Sequence, residues 1–333
     1  MCGRYAMTVD VQQLPSQFTR TALRREDPGS SNTDDVKKVT ENTYSTTETH
    51  FNGSEENVKI FVMNGLEGYR QSYNVAPTKN ELIIYKQYSA ANNVEYIMET
   101  SGFGLVPNWS KPGNTDPLKE VRKQQAMHFN CRRETLLQTS SIWNASKKTR
   151  CVVPIQGYYE WMKIKTQKVP YYVFSKDQPL IYLAGFYSHN KNFTDNFNND
   201  QYLSTFTIIT GPATKEDSND LSWLHSRKPI FLKPGTQQWD DWLDPKVPWS
   251  HELQIACLDT LTNPAFESIT CHKVSRDVGN TSKDGEYLIK ELKQEEKRGA
   301  IDSFFKKRPN PQISPSPDAK KVKTEPSVKE ELD

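Results

Sequence analysis

Short apolar runs separated by polar turns dominate the chain and predict a protein built mainly of β-strands. Gly, Pro and Asn punctuate these runs, as is typical of strands joined by tight turns. The predicted strands cover residues 58–63, 82–85, 150–155, 171–174, 181–186 and 206–210. Helical patterns are rarer, and the predicted helices cover residues 129–137, 236–242 and 286–297. Because helices do not alternate regularly with strands, we expect an α+β fold. Its sheet should be mostly antiparallel and barrel-like, flanked by helices, and not doubly wound.

Three polar segments interrupt this pattern. Residues 24–57 are rich in Ser, Thr, Asn, Asp and Glu and predict a disordered insertion. Residues 189–201 predict a polar surface loop between strands, and residues 291–333 a disordered tail rich in Lys, Pro and Ser. The sequence therefore predicts one folded domain over residues 2–290.

Composition narrows the class of protein. The 333 residues carry a net charge of +2, so any basic surface for nucleic acid must be local. No apolar run approaches the ~20 residues of a membrane span, and no apolar segment follows the first residues as in a secretory signal. Five cysteines without a CxxC pair predict reduced thiols in the cytosol or nucleus. We expect no metal site, because Cys271-His272 has no partner pair at zinc spacing.

Cys2 is the first candidate for chemistry, because removal of Met1 would leave its α-amine free beside its thiol. The pKa of an α-amine is about 8 and that of a thiol about 8.5, so both nucleophiles are populated near neutral pH. Together they can capture an aldehyde as a five-membered thiazolidine, or the thiol can accept an acyl group. An inert, frayed terminus is the ordinary alternative for a residue at this position.

Further polar side chains cluster at turns that enter or leave the predicted strands. They occur in residues 73–78 (YNVAPT), 102–109 (GFGLVPNW), 129–135 (FNCRRET), 150–161 (RCVVPIQGYYEW), 208–213 (IITGPA) and 224–229 (LHSRKP). Taken in this order after Cys2, the segments resemble the SRAP family of abasic-site processing proteins. The resemblance covers about residues 2–23 and 58–275, and it departs from the common family pattern at Cys131 and Lys228.

The resemblance implies a role for each of several residues. Cys2 would be the crosslinking nucleophile, Asn74 would contact and orient it, Glu160 would be the acid–base carboxylate and His225 the catalytic histidine. The residues that would contact DNA are Arg4, Trp109, Arg132 and Arg227. By spacing alone each has an ordinary alternative: an Asx-turn for Asn74, an exposed strand end for Glu160, a loop histidine for His225 and a core position for Trp109.

The implied function is sensing and processing of abasic sites in single-stranded DNA. The open aldehyde of an abasic sugar would be captured by Cys2 as a thiazolidine, which shields the lesion during replication. The same chemistry implies weak AP-lyase activity, and the family's peptidase label implies peptidase-type removal of its own Met1. The sequence shows no sign of oligomerisation, so we expect a monomeric enzyme, and we expect no cofactor. Stacking on an aromatic side chain tolerates any base, which suits a lesion that has none.

The tail contains short motifs typical of partner binding, nuclear import and SUMO attachment. Residues 298–305 resemble a sliding-clamp-binding peptide, with Ile301, Phe304 and Phe305 as its apolar anchors and Arg298 in place of the usual Gln. Basic clusters at residues 306–308 and 320–323 predict nuclear localisation, with the cytoplasm as a second location, and residues 322–325 and 328–331 fit a SUMO-acceptor pattern. A chance apolar cluster and a solvated charge run are the ordinary alternatives.

Three other functions fit part of the sequence. A chain that begins Met-Cys-Gly is also typical of N-terminal-nucleophile amidotransferases, but no glutamine-binding motif follows. A cysteine peptidase that uses Cys2 is the second alternative. A non-catalytic reader of modified cytosine in DNA is the third, and it predicts DNA binding that survives loss of Cys2.

Overall fold

The computed structural model describes residues 3–24, 36–114, 116–138, 141–196, 201–217 and 219–292. Within these ranges the strands are β1 (Tyr5–Met7), β2 (Lys37–Thr40), β3 (Thr43–Thr49), β4 (Glu55–Val62), β5 (Ser72–Val75), β6 (Asn80–Tyr88), β7 (Val94–Phe103), β8 (Asn130–Arg132), β9 (Arg150–Ile155), β10 (Gly157–Ile164), β11 (Gln167–Ser175), β12 (Ile181–Asn190), β13 (Leu203–Pro212), β14 (Arg227–Pro229), β15 (Phe231–Leu232) and β16 (Ile269–Lys273).

Helices are few and short by comparison. The α-helices are α1 (Leu14–Phe18), α2 (Pro117–Met127), α3 (Gln237–Leu243) and α4 (His251–Cys257). A π-turn covers Thr19–Leu23, and 3-10 turns cover Val11–Gln13, Met63–Leu66, Arg133–Leu137, Asn144–Lys148, Lys191–Asn196, Pro264–Phe266, Arg276–Gly279 and Glu286–Leu288. No helix among the described residues is both long and apolar enough to cross a membrane.

The larger sheet closes into a barrel. Its strands β13, β12, β9, β6 and β7 are consecutive antiparallel neighbours. Thr205 and Phe206 of β13 then pair in parallel with Gly102 and Phe103 of β7, which joins the two ends of the row. Closure satisfies the backbone groups that an open edge would leave unpaired. The prediction of an α+β fold with a mostly antiparallel, barrel-like sheet is confirmed.

A second sheet of five strands, in the order β16-β11-β10-β1-β5, packs its two faces against different cores. Because side chains alternate between faces of a strand, Tyr5 and Tyr158 point into the main core of the barrel. Ala6 and Tyr159 point the other way, into a small core completed by Val278 and its neighbours after β16. In this small sheet β1 lies between β10 and β5.

The expected disordered insertion over residues 24–57 is wrong for residues 37–57, which form β2, β3 and the start of β4. Threonine and tyrosine favour extended backbone, and β3 pairs with β4 along its whole length. The buried carboxylate of Glu48 accepts hydrogen bonds from Lys86 (3.1 Å) and the hydroxyl of Tyr96 (2.5 Å). A segment with few apolar residues is therefore held by buried polar contacts, which composition does not reveal. Residues 25–35 lie outside the described residues.

All six predicted strands are confirmed, but the helix predictions fared unevenly. Helix α3 confirms the prediction over residues 236–242, and Thr236 caps it by accepting from the backbone N–H of Trp239 (3.3 Å). The predicted helix over residues 129–137 is wrong in its first part, which forms β8 beside β13 before a 3-10 turn. Of residues 286–297, only Glu286–Leu288 forms a helical turn among those described, and 293–297 lie outside them.

The predicted polar loop over residues 189–201 is also corrected. Strand β12 continues to Asn190, whose side chain is fully buried, and a 3-10 turn follows. Residues 197–200 and the predicted tail beyond Leu292 lie outside the described residues.

Candidate functional site

The amino-terminal strand lies in register with the strand that carries Glu160. Tyr5 pairs with Tyr158, and the backbone N–H of Tyr159 donates to the carbonyl of Arg4 (2.9 Å). The same antiparallel register, continued by one residue, sets Gly3 opposite Glu160. Gly3 is the first residue that the structure describes, and Cys2 and Met1 lie outside the described residues.

Glu160 is a buried carboxylate at this position, only 4 % exposed. One of its oxygens accepts a hydrogen bond from the backbone N–H of Trp161 (3.1 Å). Because it is two residues beyond Tyr158, its side chain shares the face of β10 that looks toward the barrel. The alternative of an exposed strand-end carboxylate is therefore wrong, and Glu160 is a buried acid on the strand that pairs with β1.

Arg4 and Asn74 are held together on the other face of the small sheet. Arg4 Nη1 donates to Asn74 Oδ1 (2.9 Å) and to the carbonyl of Val278 (2.7 Å), and burial lowers the pKa of the guanidinium. Asn74 Nδ2 donates to the carbonyls of Asn280 (3.0 Å) and Lys283 (2.8 Å). Both side chains thus fasten the segment after β16 onto β1 and β5. The predictions that Asn74 orients Cys2 and that Arg4 contacts DNA stay predictions.

His225 lies on a loop that packs against the Glu160 sheet. The backbone N–H and C=O of Arg227 lie 3.0 and 3.1 Å from His225 Nδ1, which turns Nε2 away from the backbone. Two residues earlier, the ring of Trp223 packs on that of Tyr171 at 5.3 Å between centroids. Tyr171 is the cross-strand partner of Glu160, so the histidine loop and the carboxylate share one end of the molecule.

Arg227 forms a bidentate ion pair with Glu134. Its two terminal nitrogens lie 3.1 Å from the two carboxylate oxygens, and Nη2 also donates to the carbonyl of Thr210 (2.8 Å). Burial opposes ionisation of Glu134, but the bonds from Arg227 hold its pKa below the usual value. Arg132 pairs with Thr210 in the neighbouring strand and is exposed. The structure therefore brings Arg132 and Arg227 together on one surface.

Asn130 is a site residue that the sequence prediction missed. It shares the face of β8 with Arg132, whereas Cys131 between them is buried in the main core. Both polar atoms of its side-chain amide are buried and have no hydrogen-bond partner among the described residues. A buried amide without partners is rare in folded proteins and marks a place where a ligand can complete the bonding. The sequence could have indicated it, because Asn130 stands two positions before Arg132 and side chains two apart on a strand share a face.

Ring contacts connect this surface to the amino-terminal strand. The ring of Phe103 lies 5.5 Å from that of Tyr5 and 5.9 Å from that of Phe129, measured between centroids. Asn130 follows Phe129 directly, and Tyr5 lies two residues after Gly3. The aromatic row therefore links β8 to β1 across the mouth of the barrel.

Trp109 is exposed to solvent over 61 % of its surface. The buried amide of Asn190 donates to the carbonyls of Pro107 (2.6 Å) and Ser110 (2.9 Å), which flank the tryptophan. Asn192 Nδ2 adds a bond to the carbonyl of Ser110 (3.0 Å). The alternative of a core tryptophan is wrong. The side chains of Asn190 and Asn192 hold the backbone of the loop, and the indole of Trp109 faces solvent.

The described cysteines are poor competitors for nucleophilic chemistry. Burial raises the pKa of Cys131 and Cys151 well above that of a free thiol, that of Cys257 to about 12, and also that of the half-buried Cys271. A thiol with a raised pKa is rarely present as the reactive thiolate. Any thiol reactivity of this chain near neutral pH is therefore expected elsewhere.

Among the described residues, one cluster brings together side chains of the kinds that ligate metals. Ligand atoms of Glu48, His50 and Asp240 lie within 4.8 Å of one another where β3 meets α3. Lys86 and the hydroxyl of Tyr96 already bond Glu48, so its charge is compensated without an ion. The predicted clamp-binding residues Ile301, Phe304 and Phe305 lie outside the described residues.

Comparison with known proteins places the chain in a family. The family profile described as SRAP, SOS response associated peptidase, matches residues 1–281. The abasic site processing protein YMR114C of Saccharomyces cerevisiae is 31 % identical over 300 residues, which are 89 % of this chain and 69 % of that protein. The abasic site processing protein HMCES of Xenopus tropicalis is 29 % identical over 64 % of each chain, so this chain spans a little under two thirds of that relative.

A solved structure agrees with the fold. A protein from Bacteroides thetaiotaomicron superposes with a TM-score of 0.51 at 23 % identity, covering 67 % of this chain and 87 % of that one. At this identity the similarity concerns the fold alone.

Proposed function

The chain belongs to the SRAP family, and from that premise we propose that it processes abasic sites in single-stranded DNA by forming a covalent bond through Cys2. The relatives named above are described as abasic site processing proteins. The observation that carries the proposal is the pairing of β1 with β10, in which Tyr5 lies opposite Tyr158, two residues before the buried carboxylate of Glu160.

The proposed chemistry begins with the open aldehyde of the abasic sugar. Once Met1 is removed, the neutral amine of Cys2 adds to C1′ and gives a carbinolamine, and loss of one water gives an imine. The thiol of Cys2 then adds to the same carbon while its proton passes to nitrogen, which closes a thiazolidine. Glu160 is suited to accept the first proton and to return it to the departing hydroxyl.

His225 supplies a second proton-transfer group in this scheme. An imidazole can act as a general acid and protonate the sugar ring oxygen as the closed form opens. The contacts of Nδ1 with the backbone of Arg227 fix the ring plane. The unpartnered amide of Asn130 adds a donor and an acceptor for the sugar on the same surface.

DNA would be held by charge and stacking. The Nε–H of Arg227 is buried and has no acceptor among the residues that the structure describes, which suits a phosphate or sugar oxygen. Arg132 extends this basic surface, and the exposed indole of Trp109 offers a face on which any base can stack, worth about 1–3 kcal/mol. These features favour an unpaired strand, in which an abasic sugar is splayed at low cost.

The test is denaturing gel electrophoresis after incubation with single-stranded DNA in which one uracil has been excised. Wild-type protein should give a shifted band that survives denaturation, and Cys2→Ala should give none. Cys271→Ala is the matched control, since Cys271 is a half-buried thiol of raised pKa and its loss should leave the band unchanged. A full-strength band with Cys2→Ala would overturn the proposal.

Two finer activities belong to the same proposal. An imine that escapes ring closure can undergo β-elimination, which would appear as slow strand cleavage and classify the protein as a weak AP-lyase. Removal of Met1 by the chain itself would be a peptidase-type reaction. Mass spectrometry of protein made with and without methionine aminopeptidase distinguishes self-removal from removal by that enzyme.

The tail carries the remaining part of the proposal. Residues 298–305 would dock on a replication sliding clamp, and the basic clusters after them would direct the protein to the nucleus. Deletion of residues 301–305 should abolish clamp pull-down and leave the DNA adduct intact. Unchanged pull-down would remove the clamp from the proposal without affecting the chemistry at Cys2.

A further inference from the structure

A cavity of about 510 Å³ lies between β6, the end of β7 and helix α2, on the side of the small sheet that carries Asn74. Its volume falls within the range of small-molecule sites in proteins. Asn74 lines the cavity, but Glu160, His225 and Trp109 do not. None of the chemistry proposed for Cys2 uses it.

Two buried polar side chains line this cavity. Glu81 is 2 % exposed, and its Oε2 atom has no hydrogen-bond partner in the described part of the chain. Gln125 is 5 % exposed and also lines the cavity. The missing Cβ of Gly102 leaves the space that the Gln125 amide occupies. A carboxyl and an amide that face one cavity are a pair of groups that recognise polar ring edges.

The rim of the cavity is basic. Lys79 and Arg122 are exposed there, and neither side chain has an ion pair or a hydrogen bond among the described residues. Arg70 adds a third cation, which donates to the carbonyl of Tyr69 (2.8 Å). Asp284 also lies on the rim, but its carboxylate accepts from Ser72 Oγ (2.7 Å) and the backbone of Tyr73 (2.8 Å).

This distribution of charge restricts the class of ligand. A simple anion gains nothing from a buried carboxyl, and a polyamine would meet three cations at the entrance. Burial raises the pKa of Glu81 well above its usual value and so favours the neutral carboxyl, which offers one donor and one acceptor. A neutral polar ring that bears a phosphate matches the cavity, since the ring suits the buried Glu81 and Gln125 and the phosphate suits the basic rim.

We propose that this cavity binds one nucleotide, with its base against Glu81 and Gln125 and its phosphate beside Lys79 and Arg122. The donor–acceptor edges of a carboxyl and an amide match the edges of nucleobases. The nucleotide is either a free nucleoside monophosphate or one residue of a DNA strand. The inference goes beyond the proposed function, since it requires no reaction at Cys2.

The test titrates the full-length protein with each deoxynucleoside monophosphate and, separately, with a short undamaged single-stranded oligonucleotide. Glu81→Leu removes both hydrogen bonds and should weaken binding about tenfold or more, whereas Glu81→Gln keeps one donor and one acceptor and should retain it. Arg122→Glu should weaken binding by a similar factor. Lys123→Glu is the matched control, because Lys123 is exposed on the same helix but does not line the cavity.

Each outcome decides the proposal. Binding of monophosphates that Glu81→Leu and Arg122→Glu weaken supports a free-nucleotide site, and binding of the oligonucleotide alone with the same losses supports a strand-derived residue. Failure of the wild type to bind either probe, or equal binding by all variants, overturns the inference. Loss of binding by Glu81→Gln as severe as by Glu81→Leu also overturns it. The adduct assay with Cys2→Ala is independent of all these results.

Discussion

The guanidinium of Arg227 donates to both carboxylate oxygens of Glu134, at 3.1 Å each. This pair connects β14, which follows His225, to the 3-10 turn that follows Arg132. Two chain segments that are far apart in sequence thereby present one basic surface. The Arg227 side chain is 15 % exposed and that of Glu134 48 %, so solvent screens the pair in part.

Glu134→Gln should weaken this connection modestly. We expect a loss of unfolding free energy of about 1 kcal/mol or less at neutral pH, because the pair is partly exposed. The pKa of Glu134 is lowered in the folded state, so the ion pair contributes its full stabilisation above the unfolded pKa of about 4.3. Glu134→Gln should therefore show its full loss of unfolding free energy in that pH range. It should vanish as the pH falls through the lower folded pKa. Urea unfolding at several pH values measures it, and a difference that grows on acidification would contradict the assignment.

Asn190 should position Trp109 for stacking on DNA. Asn190→Ala removes the amide that bonds the carbonyls on both sides of the indole and should destabilise the fold by about 1–3 kcal/mol. It should also lower affinity for single-stranded DNA in fluorescence anisotropy, as should Trp109→Ala. In the double variant the two losses of affinity should not add, because one acts through the other. Additive losses would show that Asn190 acts independently of Trp109.

Lys228 and Asp217 form a buried ion pair whose two members should depend on each other. Their side chains are 1 % and 0 % exposed and lie 2.8 Å apart, and Lys228 Nζ also donates to the carbonyl of Thr260 (3.0 Å). Lys228→Met should cost about 3–5 kcal/mol, because it leaves a buried carboxylate uncompensated. Adding Asp217→Asn should recover part of that loss in urea unfolding. A double variant less stable than Lys228→Met would refute the coupling.

Glu81 should make the protein less stable as the pH rises. Its folded pKa is raised by burial, so above the unfolded pKa of about 4.3 the unfolded chain releases this proton and the folded chain keeps it. Stability should therefore fall with rising pH until the folded pKa is reached. Glu81→Gln should flatten this part of the pH profile and be more stable than wild type near neutral pH. Parallel profiles of the two proteins would contradict the raised pKa.

The strands were predictable because the pattern that identifies a strand lies within the strand's own residues. A short apolar run bounded by turn residues identifies a strand without reference to any other segment. Residues 150–155 and 181–186 show this, since each prediction lies within an observed strand. Residues 129–137 show the limit, because the pairing of β8 with β13 overrides a local helical pattern.

The candidate site was predictable in part for the same reason. Glu160, His225 and Arg227 were named because short motifs at strand ends resemble those of the SRAP family, and their roles stay predictions. Asn130 was not, because its distinguishing feature is a buried amide without partners, which exists only when β8 is in place. Asn74 and Arg4 are 70 positions apart, and no local pattern indicates that they bond each other.

The sequence by itself determined the strand-rich class, the residue types available for chemistry and the position of a cysteine directly after Met1. Only the tertiary structure decided which side chains share a face, that residues 37–57 pair as strands, and that Glu81 lines a cavity beneath helix α2. The physical reason is that burial and pairing arise from contacts between distant segments. The closure of β13 on β7 sets those contacts, and no short stretch of sequence encodes them.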